Sequence, residues 1–245
     1  MMLVETDLLD GLGRNGKLDA MRSLLWVLLL VAPARAQSVE DATVLLQKAR
    51  AFGESTRSWR AEVVETSKLS GPGMDLQSEV RTKIAAQPPL KMSRQNSGSD
   101  RTVMVCDGAD VFYSGDGHSY YKHKDEAGVT PQCDLPLIKF YDSYNSPTSV
   151  SAVGEDHVRL MDGVRRCALI RAVLKQRTVN IVRTMCIDPS RPLILRDVIE
   201  SEDERTGIRS SRTITFIDFE SNPTFSPDTF RFSVPPGAVE AKPPI

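Results

Sequence analysis

The spacing of apolar residues changes once along the chain, from the period of a helix to the period of a strand. The stretch Ser38-Val39-Glu40-Asp41 resembles a capping box, and the apolar residues after it fall on one helical face. They are Ala42, Leu45, Leu46, Ala49 and Phe52. The pattern predicts an amphipathic helix from about Val39 to about Thr56.

Beyond Trp59 the chain consists of short runs in which apolar and polar residues alternate, separated by Gly, Pro, Asn and Asp. This texture predicts twelve β-strands. They are expected near Trp59–Leu69, Leu76–Ala86, Leu90–Gln95, Arg101–Cys106, Val111–Ser114, Ser119–Lys124, Ser151–Leu160, Val164–Lys175, Thr178–Ile187, Leu193–Ser201, Ile208–Phe219 and Thr229–Val234. Because Asp-Gly is a favoured hairpin turn, Asp107-Gly108 and Asp162-Gly163 indicate antiparallel neighbours.

One segment departs from the strand texture. Between Asp134 and Tyr144 the apolar and aromatic residues fit a short helix better than a strand, with Pro136 near its first turn. Several strands carry apolar residues on both faces, which is typical of an open sheet with helices over one side. We therefore expect a mainly β (α+β) fold, a curved antiparallel sheet with the N-terminal helix and the short central helix as a lid.

Composition narrows the class of protein without changing this picture. Of the 245 residues, 40% are hydrophobic and 26% are charged, which is globular composition and excludes a disordered or collagen-like chain. The 31 Lys and Arg against 32 Asp and Glu leave a formal net charge of −1. No overall electrostatic attraction therefore points to nucleic acid or to an anionic membrane surface.

The N-terminal residues have the pattern of a secretory signal peptide. Met21-Arg22 supplies a basic start, Ser23–Ala32 is apolar, and Pro33–Ala36 ends in a small-x-small cleavage pattern. The apolar run of ten residues is too short for a membrane-spanning helix, which needs about 20. The pattern predicts export of the chain.

Export would divide the chain into three parts. Residues 1–20 are expected to be an upstream extension from a mis-assigned start, and 21–36 the signal peptide. Residues 37–245 are then a single domain with a Pro-rich C-terminal tail and no transmembrane segment. The predicted location is outside the cytoplasm, and the signal peptide together with the predicted fold favours the periplasm of a two-membrane envelope.

Export also changes how the cysteines are interpreted. They are Cys106, Cys133, Cys167 and Cys186, with no CxxC spacing. In an oxidising compartment four cysteines indicate two disulfides, with three possible connectivities. A tight turn at Gln176-Arg177 would pair Lys175 with Thr178. In that register Cys167 lies opposite Cys186 at a separation that a disulfide accepts, although a bulge would shift the register by one. The remaining pair is Cys106 with Cys133.

Residues with catalytic chemistry are few and scattered. The histidines are His118, His123 and His157, and the spacing of five between the first two puts them on opposite faces of a strand. The sequence has no nucleophile elbow, no H-E-x-x-H, no P-loop and no EF-hand loop. We therefore expect a protein that is not an enzyme and that uses no metal and no cofactor.

Four segments together resemble the periplasmic outer-membrane lipoprotein carrier (LolA-like) superfamily. They are Val105–Ser114, Cys186–Arg196, Thr213–Phe219 and Phe225–Gly237. The resemblance covers most of residues 38–237 in order. It implies an unclosed antiparallel β-barrel with a helical lid over an apolar cavity that holds acyl chains. Envelope-stress regulators of the MucB/RseB type share this fold, so the fold does not decide between the two functions.

This resemblance leads to a hypothesis about the ligand. The candidate cavity residues are Trp59, Val63, Phe140, Tyr144, Ile214 and Phe216, and for each of them ordinary core packing is the alternative. The expected ligand is a lipid or an acylated lipoprotein, held for transfer to the outer membrane. Partner proteins of the inner and outer membranes are expected, and nucleic acid is not. The second hypothesis is an envelope-stress sensor or regulator that uses the same cavity.

Overall fold

The structure is a computed structural model that describes residues 39–98, 101–115, 117–124, 133–140 and 147–242. The chain divides into two units, 1–36 and 37–245, and all described residues belong to the second. The predicted signal peptide and the candidate residue Tyr144 lie outside the described residues.

The described chain contains one α-helix, α1 (Val39–Ser55), followed by strands. The strands are β1 (Trp59–Gly71), β2 (Met74–Gln87), β3 (Lys91–Ser97), β4 (Val103–Asp107), β5 (Asp110–Ser114), β6 (Ser119–Lys124), β7 (Ser149–Leu160), β8 (Gly163–Gln176), β9 (Val179–Ile187), β10 (Ile194–Asp203), β11 (Arg209–Ser221) and β12 (Val239–Ala241). Two short 3₁₀ helices are Leu137–Phe140 and Pro227–Phe230. The first eleven predicted strands are confirmed, with ends within two residues of the expected positions.

The strands form one curved sheet that does not close. Their spatial order is β12-β6-β5-β4-β3-β2-β1-β11-β10-β9-β8-β7. Neighbours are antiparallel, except that β12 runs parallel to β6. Strand β1 pairs with β2 on one side and with β11 on the other, and it therefore joins two successive runs of hairpins. The predicted mainly β fold with an open antiparallel sheet is confirmed.

The twelfth predicted strand, Thr229–Val234, is wrong. Its first residues belong to the 3₁₀ helix Pro227–Phe230, and the last strand is Val239–Ala241 instead. This segment is held by aromatic packing and not by hydrogen bonds to a neighbouring strand among the described residues. Phe232 stacks on Phe112, with 5.0 Å between the ring centroids. The tail thus crosses back from β11 to the far edge of the sheet.

A lid, which we define as α1 together with residues 133–140, covers part of the sheet. Helix α1 packs against β7, β9 and the first 3₁₀ helix. At this contact Ala42 and Ala49 are 1% and 0% exposed, and their small side chains let the helix approach closely. The predicted helix over one side of the sheet is confirmed. The helix expected near Asp134–Tyr144 is a 3₁₀ turn over Leu137–Phe140 in its described part.

A β-bulge in β11 brings the two ends of one half of the sheet together. Glu62 pairs with Asp218 and Val63 with Phe216, so Ile217 has no partner on β1. Its carbonyl accepts a hydrogen bond from the N–H of Met161, in the turn between β7 and β8, at 2.8 Å. The run of strands from β11 to β7 therefore curls until β7 meets β11, although the whole sheet stays open.

Both disulfides are present in the structure. The Cα separations are 5.8 Å for Cys106–Cys133 and 5.3 Å for Cys167–Cys186. The register expected for the second bond is wrong, because Lys175 pairs with Asn180. The turn is formed by residues 177–178, and the two cysteines are diagonal neighbours on β8 and β9. The bond forms because the diagonal separation still suits a disulfide.

Candidate ligand-binding site

Four of the candidate cavity residues lie in the hydrophobic core at the junction of β1 and β11. Trp59, Val63, Ile214 and Phe216 are between 0% and 6% exposed. Val63 and Phe216 are direct cross-strand partners, so their side chains share a face of the sheet. The structure thus brings these two together. Phe140 ends the first 3₁₀ helix.

A residue outside the candidate set, Phe219, is the centre of an aromatic cluster. Its ring lies 6.5 Å from Trp59, 5.9 Å from Phe216 and 6.3 Å from Phe52 of α1, measured between centroids. In a regular strand, residues three apart point to opposite faces. The bulge at Ile217 removes that alternation and puts Phe216 and Phe219 on the same face. Phe219 therefore connects the lid to the sheet.

Next to this cluster lies a partly enclosed cavity of about 180 Å³. It sits where the turn between β7 and β8 meets β11. Its apolar wall is formed by Leu160, Leu193, Leu195, Phe216, Ile217 and Phe219. Its polar rim is formed by Asp162, Arg165, Asp188, Ser190, Arg191 and Asp218. One of the candidate residues, Phe216, lines this cavity, which has an apolar interior and a charged entrance.

The charges at the rim are held in different ways. Arg165 forms an ion pair with Asp162. Asp188 accepts hydrogen bonds from the N–H of Ser190 at 2.8 Å and from its hydroxyl at 2.6 Å. The guanidinium of Arg191 lies over the ring of Phe219, 4.9 Å from its centroid. The cavity can therefore bind an apolar group while a polar end stays at the entrance.

A charged band marks where the apolar face of the sheet ends, and we define it as Arg183, Asp197, Glu65 and Arg212. Arg183 and Asp197 are 3% and 5% exposed and share three hydrogen bonds of 2.7 to 3.0 Å. Ile214 lies between the two halves, since it pairs with Asp197 on β10 and with Glu65 on β1. Arg212 donates two hydrogen bonds to Glu65, of 2.7 and 2.8 Å. The apolar face of the sheet therefore continues on the Phe216 side of Ile214 and ends at the band.

The lid is attached to the sheet at two points near the candidate site. The Nε1 of Trp59 donates a hydrogen bond to the carbonyl of Leu135 at 3.1 Å. The Cys106–Cys133 disulfide joins the same segment to β4. These attachments fix one part of the lid, and small and apolar side chains of α1 pack against the sheet in the other part.

Two further findings concern the described residues only. Among them, no three His, Cys, Asp or Glu side chains lie close enough together to hold a metal ion. Among the helices of the described residues, none is long and apolar enough to cross a membrane.

Comparison with known proteins gives a likeness in fold. No protein-family model matches the sequence, and no curated protein matches it. Among solved structures, MucB matches at 12% identity with a TM-score of 0.45, over 80% of this chain and 64% of the MucB chain. This chain therefore spans less than two thirds of the length of MucB. A MucA/MucB complex from Pseudomonas aeruginosa also matches, at 12% identity and a TM-score of 0.43, over 79% of this chain and 61% of that chain.

Two further matches are LprF from Mycobacterium bovis and a LolA superfamily protein from Nitrosomonas europaea. LprF is 14% identical with a TM-score of 0.45, over 82% of this chain and 98% of LprF. The LolA superfamily protein is 11% identical with a TM-score of 0.36, over 78% of this chain and 97% of that chain. The open antiparallel sheet with a helix over one side, as predicted from the sequence, is established by the structure of this chain itself. At these identities the function has to be derived from this chain's own side chains.

Proposed function

We propose that the protein is a periplasmic binding protein that holds the acyl chain of a lipid or a lipoprotein for transfer to the outer membrane. The observation that carries this proposal is the cavity beside Phe216 and Phe219. At this point the apolar core reaches the surface between the turn that joins β7 and β8, the loop that joins β9 and β10, and strand β11. An acyl chain that enters there leaves water and contacts aromatic and aliphatic walls.

The energetics of acyl-chain burial fit a cavity that widens on binding. Each buried CH₂ contributes about 0.8 kcal/mol. A cavity of about 150 Å³ is known to hold benzene, so the present 180 Å³ takes the end of a chain. A longer chain requires α1 to move. Because Phe52 of α1 packs against Phe219 in the cavity wall, displacement of α1 enlarges this same space.

The proposed location rests on two features of the sequence and the structure. The predicted signal peptide at 21–36 supports export. Two disulfides support an oxidising compartment, since such bonds are rare in the cytosol. The formal net charge of −1 suits a protein that approaches a membrane without strong attraction to its charged surface.

The second candidate function is a sensor or regulator of the envelope-stress type that binds the same ligand and retains it. The observation that favours it is the attachment of the lid. Cys106–Cys133 and the hydrogen bond of Trp59 hold the segment 133–140 against the sheet. A lid with this restraint opens less than a free one, and slow release suits a sensor better than a carrier.

Ligand binding tests the proposal directly. We would purify the mature chain from periplasm, identify copurified lipid by native mass spectrometry, and titrate the delipidated protein with a fluorescent fatty acid. Leu160→Trp fills the cavity and is expected to weaken uptake at least tenfold. Leu76→Trp, at a site 59% exposed and outside the cavity, is the matched control and should bind normally. Circular dichroism and Tm verify that both variants fold, with Leu160→Phe as a milder replacement.

Each outcome has a defined meaning. If no lipid copurifies with the chain and the chain takes up no fatty acid, both proposed functions are overturned. Equal binding by Leu160→Trp and the unchanged chain overturns the assignment to this cavity. Transfer of bound ligand to outer-membrane acceptor vesicles supports the carrier, and binding without transfer supports the sensor.

A further inference from the structure

The loop between β9 and β10 holds Arg191 at the entrance of the cavity in a fixed position. The carboxylate of Asp188 accepts hydrogen bonds from Ser190 and, at 3.3 Å, from the N–H of Arg191. The N–H of Asp188 donates to the carbonyl of Leu193 at 3.0 Å, which closes the loop. Two prolines, at 189 and 192, flank Arg191 and restrict the backbone further. The backbone at Arg191 therefore has little conformational entropy left to lose on binding.

The guanidinium of Arg191 has no carboxylate partner among the described residues. Its contacts there are the ring of Phe219 and the hydroxyl of Ser221, which lies 3.5 Å from Nη2. A guanidinium presents five N–H donors in a planar arrangement that matches a carboxylate or a phosphate. Most of these donors thus remain available at the edge of an apolar space.

The acidic groups of the rim do not neutralise Arg191. Asp162 is paired with Arg165, and Asp188 accepts the hydrogen bonds of its own loop. Asp218 is the cross-strand partner of Glu62. The two neighbours of Glu62 on β1, Ala61 and Val63, have side chains that face the core, so Glu62 and Asp218 face the other side of the sheet. The side chain of Asp218 therefore belongs to the opposite face of the sheet from Phe219.

We propose that Arg191 makes this cavity selective for amphiphiles with an anionic headgroup. The apolar chain enters between Leu160 and Phe216, and the carboxylate or phosphate at its end accepts hydrogen bonds from Arg191. This inference rests on the proposed function and names the class of ligand that the site takes. A fatty acid and a phospholipid both supply the required chemistry, and a chain with an uncharged headgroup does not.

Calorimetric titration with short amphiphiles tests the selectivity. The probes are octanoate, octyl phosphate, 1-octanol and inorganic phosphate. The unchanged protein is expected to bind octanoate or octyl phosphate at least tenfold tighter than 1-octanol, and the stronger of the two distinguishes a carboxylate from a phosphate headgroup. Inorganic phosphate should bind more weakly than octyl phosphate, because it lacks the chain.

Variants at the rim separate charge from packing. Arg191→Gln is expected to reduce the affinity for the anionic probes about tenfold and to leave that for 1-octanol unchanged, which also reports an intact cavity. Arg191→Lys keeps the charge and should retain part of the preference. Arg165→Gln is the matched control, because Arg165 is already paired with Asp162. Its selectivity should not change.

The outcomes distinguish this inference from the proposed function. If 1-octanol and octanoate bind equally, before and after Arg191→Gln, the selectivity is overturned and the acyl-binding proposal stands. If none of the eight-carbon probes binds, the acyl-binding proposal itself fails. If inorganic phosphate binds as tightly as octyl phosphate, the site is an anion site without a chain subsite, and the inference is overturned.

Discussion

A buried ion pair limits the apolar face of the sheet and depends on both of its partners. Arg183 and Asp197 lie on neighbouring strands and are almost fully removed from water. Their mutual hydrogen bonds offset the cost of removing both charges from solvent, but only while both are present. A ligand that displaced Arg183 would remove the hydrogen bonds that Asp197 accepts from it.

Removal of one partner should therefore be costly. Arg183→Met is expected to lower the free energy of unfolding by about 3–5 kcal/mol, because it leaves Asp197 buried without a partner. The double variant with Asp197→Leu should recover most of this loss. Urea denaturation gives the values, and Arg212→Met in the exposed pair with Glu65 is the control, with a loss of about 1 kcal/mol or less. A small effect of Arg183→Met would contradict the account.

A second charged contact, between Asp156 of β7 and Arg196 of β10, should make stability depend on pH. The backbone N–H of His157 and the guanidinium of Arg196 lower the pKa of Asp156 below its ordinary value of 3.8. The carboxylate therefore stays ionised to a lower pH in the folded chain than in the unfolded chain. Its stabilisation is present well above pH 3.8 and is lost as pH falls through the lowered pKa of the folded state.

Asp156→Asn tests this dependence. At pH 7 the variant should unfold at a lower urea concentration than the unchanged chain, and the difference should shrink as the pH falls below 3.8. Glu155→Gln, at the exposed neighbour that pairs with Arg166, is the control and should change stability little. A difference between the Asp156 variant and the unchanged chain that stays constant with pH would exclude the ion pair as its cause.

Part of the candidate site could be predicted at the scale of single residues. Phe216 was identified from its apolar strand and lines the cavity. Phe219 and Arg191 were missed for separate reasons. The face of Phe219 depends on a bulge, and the role of Arg191 depends on a loop that meets β11 only in the folded chain. Arg183 had a visible signal, since it occupies a core-facing position in an otherwise apolar alternation.

At the scale of elements, the hairpin of β8 and β9 has an unfavourable residue in its turn. Arg177 has φ of 53°, in the left-handed region that costs a residue with a Cβ about 1–2 kcal/mol. Arg177→Gly is expected to stabilise the protein by up to about 1 kcal/mol, because relief of this strain exceeds the added flexibility of the unfolded chain. Thermal unfolding measures the change.

The matched control for this substitution is Gln176→Gly, which lies next to Arg177 at the end of β8 and has no positive φ. It should destabilise the protein, since glycine in a strand loses more conformational entropy on folding. Equal effects of the two substitutions would show that the backbone conformation of Arg177 carries no strain.

The strands were predictable because the alternation of residues is local, and their ends lie within two residues of the expected positions. The register between β8 and β9 could not be predicted, because it depends on which residues form the turn. The twelfth strand was misplaced for a related reason. Phe232 finds its partners on β5 and β6, far away in sequence, and this contact removes its segment from the sheet.

At the scale of the whole molecule, the two disulfides should differ in their effect on ligand exchange. Cys106–Cys133 restrains the lid, whereas Cys167–Cys186 joins neighbouring strands. Replacement of either pair by serine should cost about 3 kcal/mol of stability, given sequence separations of 27 and 19. Only loss of the first should speed uptake and release of a fluorescent fatty acid, severalfold in stopped-flow measurements. Equal exchange rates in the two variants would contradict the role of the restraint.

The pairing of β1 with β11 has a consequence for how the chain is made. Trp59 finds its partner at Ser221, so the ladder at the centre of the sheet joins two parts of the chain that are synthesised far apart in time. Contacts of such high sequence separation form slowly. While the C-terminal strands are still being synthesised, β1 lacks one neighbour and the sheet cannot be completed. The ladder at the centre of the sheet can therefore form only after β11 has been synthesised, when nearly the whole chain is available.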